Sequence, residues 1–185
     1  SCYPNHALGQ VHDWMAEIYV KWVRAHGIMI ICPVHWYMAP SVLKLMMDRL
    51  VCADGGNPDP TTTDEKNPEK AKALELKGWH YPRHLSGRAF SVVVHGDAAG
   101  VENVRRSLTD WLKDMRLIQA GDSAVVEQYV GYYKPYATSH DDLNADTAFH
   151  ERVRNAARSL VNMVQQIRSG KYVAPDQDLR DPLQK

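Results

Sequence analysis

The chain has 185 residues, enough for one domain with its own core and too few for two comfortable ones. Lysine plus arginine equals aspartate plus glutamate at 22 each, so no net basic charge marks a general nucleic-acid binder. Hydrophobic residues make up 44%, a globular composition, and no apolar run reaches the roughly 18–20 residues of a membrane span. The three cysteines, Cys2, Cys32 and Cys52, fit neither a disulfide framework nor a zinc ribbon and favour a reducing, cytoplasmic setting.

The first residue is Ser1, and residues 1–5 have neither the basic start nor the apolar stretch of a signal peptide. Residues 6–25 are predicted to be a helix. Leu8, Val11, Trp14, Met15, Ile18 and Trp22 recur at three- and four-residue spacing on one face. Gly27 reads as its stop signal. Ile28 to Cys32 is a continuous apolar run closed by Pro33, the pattern of a strand covered on both faces. A helix is expected over residues 40–52, apolar around most of its circumference and interrupted only by Lys44, Asp48 and Arg49. Such a helix packs on more than one side.

Residues 53–88 read as a long excursion, opening on turn chemistry (Asp54, Gly55, Gly56, Asn57, Pro58) with one short helix at 68–76. A second apolar strand, 89–94, runs into His95, Gly96 and Asp97. A helix over 100–115 aligns Val101, Val104, Leu108, Trp111, Leu112 and Met115, and a weaker strand follows at 124–129. The last helix, 147–168, carries Val153, Ala156, Leu160, Val164 and Ile167 and stops at Gly170. Residues 1–168 therefore read as one domain and 169–185 as an extended tail. Alternating strands and helices imply parallel strands joined by right-handed crossovers, an α/β three-layer fold. Ligands bind outside the carboxyl ends of such strands. Two loops occupy that rim, one after each apolar strand.

In the first loop the run Gly27 to Cys32, then Pro33, Val34, His35, Trp36 and Tyr37, followed by Ser41, Leu43, Lys44, Asp48 and Arg49, resembles the flavodoxin-like NAD(P)H-dependent FMN reductases and quinone reductases. Val92 to Gly100 sits where that family has its second flavin-contacting loop. The resemblance covers about residues 8–160. It implies FMN at the carboxyl edge of a parallel sheet, with Pro33, Val34, His35, Trp36, Tyr37 and Met38 lining the ring and Gly96, Asp97 and Gly100 approaching its pyrimidine edge. The residue types suit that task, because aromatic rings stack on a planar flavin and glycines admit backbone donors. It also implies NAD(P)H as donor, a quinone or other small acceptor, a ping-pong scheme, and a homodimer or homotetramer. The flavin carries the redox chemistry, so no catalytic acid–base pair is expected, and none is apparent.

The family's opening strand, phosphate loop, helix and second strand have no counterpart in the chain. In the flavodoxin strand order 2-1-3-4-5, only strands three, four and five are then visible. Strand three would become an exposed apolar edge, and further residues are expected before Ser1 in the native protein. The rival reading is a binding or assembly module that holds no flavin, favoured by the missing phosphate loop and opposed by the retained aromatic loop.

Other features have plain readings. Lys44 and Asp48 are i,i+4 neighbours suited to a surface pair. His35 can order its loop or donate to a quinone. His80 and His84 flank Pro82, which breaks any helix that would align them on a metal. His140, Asp141 and Asp142 read as a solvated turn, Cys32 as a core thiol, and Tyr129, Tyr132, Tyr133 and Tyr136 as packing under the last helix or a pocket wall.

Overall fold

The computed structural model describes residues 14–54, 68–78, 83–131 and 134–175. Its sheet is built around β2 (Ala89–Gly96). On one side β2 pairs in parallel with β1 (Gly27–Pro33), from Gly27 opposite Ala89 to Pro33 opposite His95. On the other side two short parallel strands share its length: β3 (Ile118–Gln119) beside Ala89 and Phe90, and β4 (Val125–Tyr129) beside Val92 to Gly96. The spine accordingly lacks a charged side chain, as a strand covered on both faces and both edges requires.

The pleat sorts its side chains. Phe90, Val92 and Val94, with Ile30 and Cys32 of β1, enter a core shared with α1 (Met15–Arg24), α2 (Ser41–Asp54) and α4 (Val101–Asp114). On this face Trp22 meets Trp111 edge-on, with ring centroids 5.9 Å apart. Val93 and Val126 face the other way, against Phe149 and Ala156 of α6 (Thr147–Arg168). The result is the three-layer, flavodoxin-like α/β arrangement read from the sequence. The helices at 68–76 (α3, Pro68–Leu76) and 147–168 fall on their expected bounds. Asp146 caps α6 by accepting the Phe149 N–H at 2.8 Å. Among the described residues no helix is long and apolar enough to cross a membrane.

Three expectations change. Gly27 opens β1 and does not stop α1. A Cβ there would lie 2.7 Å from Val164 Cγ2, so the glycine is what lets α6 approach the strand. His140, Asp141 and Asp142 lie in a short helix, α5 (Ser139–Ala145), where Asp142 pairs with Lys134 at 2.6 Å. The helix expected over 100–115 ends one residue sooner than its apolar pattern: α4 stops at Asp114, and Arg116 takes a positive φ of 62°. The start of the helix expected over 6–25 and the last ten residues of the tail lie outside the described residues, as do His80, Tyr132 and Tyr133.

β1 is the outer strand of the described sheet. Its even-numbered residues bond to β2, as the Val34 N–H to the His95 carbonyl at 2.8 Å shows, so the N–H and C=O groups of Gly27, Met29 and Ile31 point away from β2. Along this edge runs a groove of about 590 Å³ walled by Trp22 of α1 and by Val42, Leu43 and Met46 of α2. Ile31 is 55% exposed beside it. The apolar edge expected of strand three is therefore present.

At the amino ends of the strands a polar knot closes the excursion. The fully buried Asp54 accepts the Leu85 N–H at 2.8 Å and faces the Arg83 guanidinium at 3.8 Å. The Arg88 guanidinium donates to the Val23 and His84 carbonyls. Asp54 Oδ2, Tyr19 Oη and Arg88 Nε remain buried without hydrogen-bond partners among the described residues. Burial, more than the Asp54 charge, pushes the Tyr19 hydroxyl up to about 12.

Candidate functional site

The carboxyl ends of β1 and β2 carry the two loops singled out in the sequence, and the fold locks them together. After Pro33 the chain turns back within four residues: the His35 N–H donates to the Met38 carbonyl at 2.9 Å and the Met38 N–H to the His35 carbonyl at 3.1 Å. The two residues at the tip, Trp36 and Tyr37, have φ of 45° and 68°. Positive φ at both central positions defines a type I′ turn, which ordinarily takes Asn-Gly or Gly-Gly. Two bulky aromatic residues adopt it here at a cost of roughly 1–2 kcal/mol each.

The second loop supports the tip. The Tyr37 N–H donates to the Ala99 carbonyl at 2.9 Å, and Asn103 Nδ2 of α4 donates to the Tyr37 carbonyl at 3.2 Å. Gly100, at φ 104°, passes so close that a Cβ would lie 2.3 Å from Tyr37 Cα. Gly96 passes Val34 in the same way, with a Cβ falling 2.6 Å from Val34 Cγ1. Both glycines therefore serve loop-to-loop packing.

Of the residues expected at the site, Pro33 to Met38 and Gly96 to Gly100 come together at one rim. Pro33, His35 and Asp97 are exposed, and Trp36, Tyr37 and Met38 stand 77%, 56% and 59% exposed. Val34 has its side chain in the core, so only its main chain is available at the rim. Asn103 had no mark in the sequence beyond its place in the first turn of a helix. His95 also went unremarked as a site residue. Its ring packs against Phe149 with centroids 6.3 Å apart, and burial lowers its pKa, favouring the neutral imidazole. Beyond it, Gln128 receives a hydrogen bond from Arg152 at 2.7 Å. Cys32, one residue before Pro33, is a core thiol as expected, pushed by burial to about 11. Among the described residues no group of three or more His, Cys, Asp or Glu could hold a metal ion.

An exposed aromatic tip over a floor where two glycine loops meet fits a flat conjugated ring, which buries the exposed rings as it stacks. The arrangement could bind such a ring and shield one face from water. Redox chemistry at such a site would be supplied by the bound ring.

The sequence model of the family described as NADPH-dependent FMN reductase matches residues 2–131, more than half of the chain. Among solved structures the fold is similar to that of RosB with the bound intermediate 8-demethyl-8-formylriboflavin-5'-phosphate, at 13% identity and a TM-score of 0.63. That match covers 95% of this chain and 64% of RosB. A flavone reductase matches at 16% identity and a TM-score of 0.52, over 88% of this chain and 49% of the reductase. The chain thus spans less than two thirds of either neighbour. No match was found among curated proteins.

Proposed function

Because the chain belongs to the NADPH-dependent FMN reductase family, flavin-dependent oxidoreductases whose cofactor is FMN, we propose that it binds FMN at the rim of Trp36 and Gly96 and passes electrons from NAD(P)H to a quinone or another small flat acceptor. The observation that carries the reading is the exposed aromatic turn at Trp36 and Tyr37, held against the glycine loop at the carboxyl edge of a parallel sheet. A scaffold would not retain two bulky residues in left-handed backbone at such a cost.

When bound, FMN supplies the hydride and electron transfer. The residues of this chain bind and orient it. Trp36, Tyr37 and Met38 offer apolar surface to the ring, the main chain at Asp97 and Gly100 offers donors to its polar edge, and Gly96, whose own N–H and carbonyl are engaged by β4, lies beside that edge. His35, exposed beside the tip, would donate to an acceptor carbonyl. Donor and acceptor use the same open face in turn.

In this reading the outer edge of β1 in the described sheet is where the family's phosphate-bearing strand would pair. The support is the strand itself. Gly27–Pro33 has no charge and ends in a proline only at the rim, unlike the protected edges of natural sheets. The exposed Val42 and Leu45 of α2, 75% and 63% accessible, suit a contact between subunits of a homo-oligomer. A free core thiol at Cys32 suits a reducing cytoplasm.

Among the described residues β1 is the outer strand, which also suits a second reading, a binding or assembly module without flavin. One preparation separates the two. Purified full-length protein should show flavin absorbance that dialysis removes and FMN, but not FAD, restores, and it should oxidise NADPH when a quinone is supplied. A colourless protein that takes up no FMN at millimolar concentration sinks the enzyme reading.

A further inference from the structure

The turn at Trp36 and Tyr37 is held from outside. Its own sequence opposes the conformation, since neither tip residue is Gly, Asn or Asp, the types that accept positive φ. Its internal support is the single pair of hydrogen bonds between His35 and Met38. The remaining contacts come from the second loop and α4, and they converge on one residue. The Tyr37 N–H goes to Ala99, its carbonyl receives Asn103 Nδ2, and its Cα occupies the space where Gly100 lacks a side chain. A backbone unit satisfied at both polar ends and blocked behind its Cα has little room to relax.

We propose that Asn103, acting with Gly100, is a positioning residue that clamps the strained Trp36–Tyr37 turn, so that the aromatic tip is already arranged for the flavin before it binds. The inference rests on the proposed function for the identity of the ligand, and on the turn geometry alone for the clamp. Pre-arrangement matters because an unclamped tip would have to be ordered at the expense of binding. Asn103 does not touch the ring. Its effect reaches the flavin through the Tyr37 carbonyl.

The test compares full-length protein with Asn103→Ala, which removes an exposed side chain and leaves the core intact. Hydrogen exchange of the Tyr37 amide is measured without FMN, and FMN affinity is measured by titration. Loss of one hydrogen bond should speed that exchange and weaken FMN by about threefold to tenfold each, with Val94 exchange unchanged. Tyr37→Gly supplies the control, because glycine accepts φ near 68° without strain. In that background Asn103→Ala should change exchange at residue 37 by less than about twofold. Unchanged Tyr37 exchange in Asn103→Ala overturns the clamp, as does an equal acceleration in both backgrounds. Unchanged FMN affinity overturns its role in binding. Faster exchange in a protein that takes no FMN overturns the proposed function and leaves the clamp standing.

Discussion

The two ends of the sheet solve opposite problems. At the amino end, Asp54 and much of Arg88 are drawn inside, with the exposed Arg83 beside Asp54, to tie α1, α2 and the turn before β2 into one knot, and several polar atoms are left short of partners. At the carboxyl end, three large apolar side chains are pushed outward and a strained backbone keeps them there. Polar groups inside and apolar groups outside both cost free energy, yet for different returns. The amino end converts that cost into a closed excursion, and the carboxyl end into a surface that waits for a ligand. The difference teaches where to expect separable stability and function: substitutions at the first end should change folding alone, and those at the second should change binding first.

The largest test of that division is Leu85→Ala. Leu85 is fully buried beside the knot, so the cavity should cost about 2–5 kcal/mol in denaturant unfolding. FMN affinity per folded molecule should be unchanged. A parallel loss of affinity would merge the two ends into one unit. Gly100→Ala comes next. The new methyl meets Tyr37 backbone at an impossible distance and at a φ foreign to alanine, so about 1–3 kcal/mol of stability should go, with FMN affinity falling at least about tenfold. Normal affinity in a folded Gly100→Ala protein would deny that the two loops are joined as described.

Trp36→Ala sharpens the contrast from the other direction. At 77% exposure the side chain supports little, so thermal stability should stay within about 0.5 kcal/mol. Loss of stacking worth about 0.5–1.5 kcal/mol should weaken FMN by roughly twofold to tenfold. Equal affinity in titration would remove Trp36 from the site.

The smallest expected effect is a pH dependence at the knot. Burial raises the Asp54 carboxyl above its ordinary range, against the opposing Leu85 N–H and the charges of Arg83, His84 and Arg88. A carboxyl raised on folding contributes stability below its unfolded value and loses it as pH climbs through the folded one. Asp54→Asn cannot ionise and should avoid that loss. Melting temperatures from about pH 4 to about pH 8 should therefore shift in favour of the variant as pH rises. A shift toward wild type on raising the pH would reverse the assignment.

Much of this was legible in the sequence because it depends on local periodicity. The apolar runs of β1 and β2 and the face of α6 announce a parallel three-layer fold, and Pro33 and Gly96 mark where the rim begins. What was hidden depends on distant neighbours. Gly27 has the appearance of a helix stop until Val164 and Leu160 are placed against it. β3, two residues long, carries no periodic signal. The left-handed backbone at Trp36 and Tyr37 contradicts the local preference of both residues, and only Ala99, Gly100 and Asn103, more than sixty positions on, account for it.

The full engagement of β2 on both of its edges carries a kinetic corollary. A strand bonded to β1 along one side and to β3 and β4 along the other has no partial way to open. Its central amides, Val92 to Val94, should exchange with solvent only through global unfolding. Gly96 ends that strand and gives its carbonyl to the Val130 N–H at 2.9 Å. The floor of the rim is thus anchored to the slowest clock in the molecule, while the tip above it keeps time with α4.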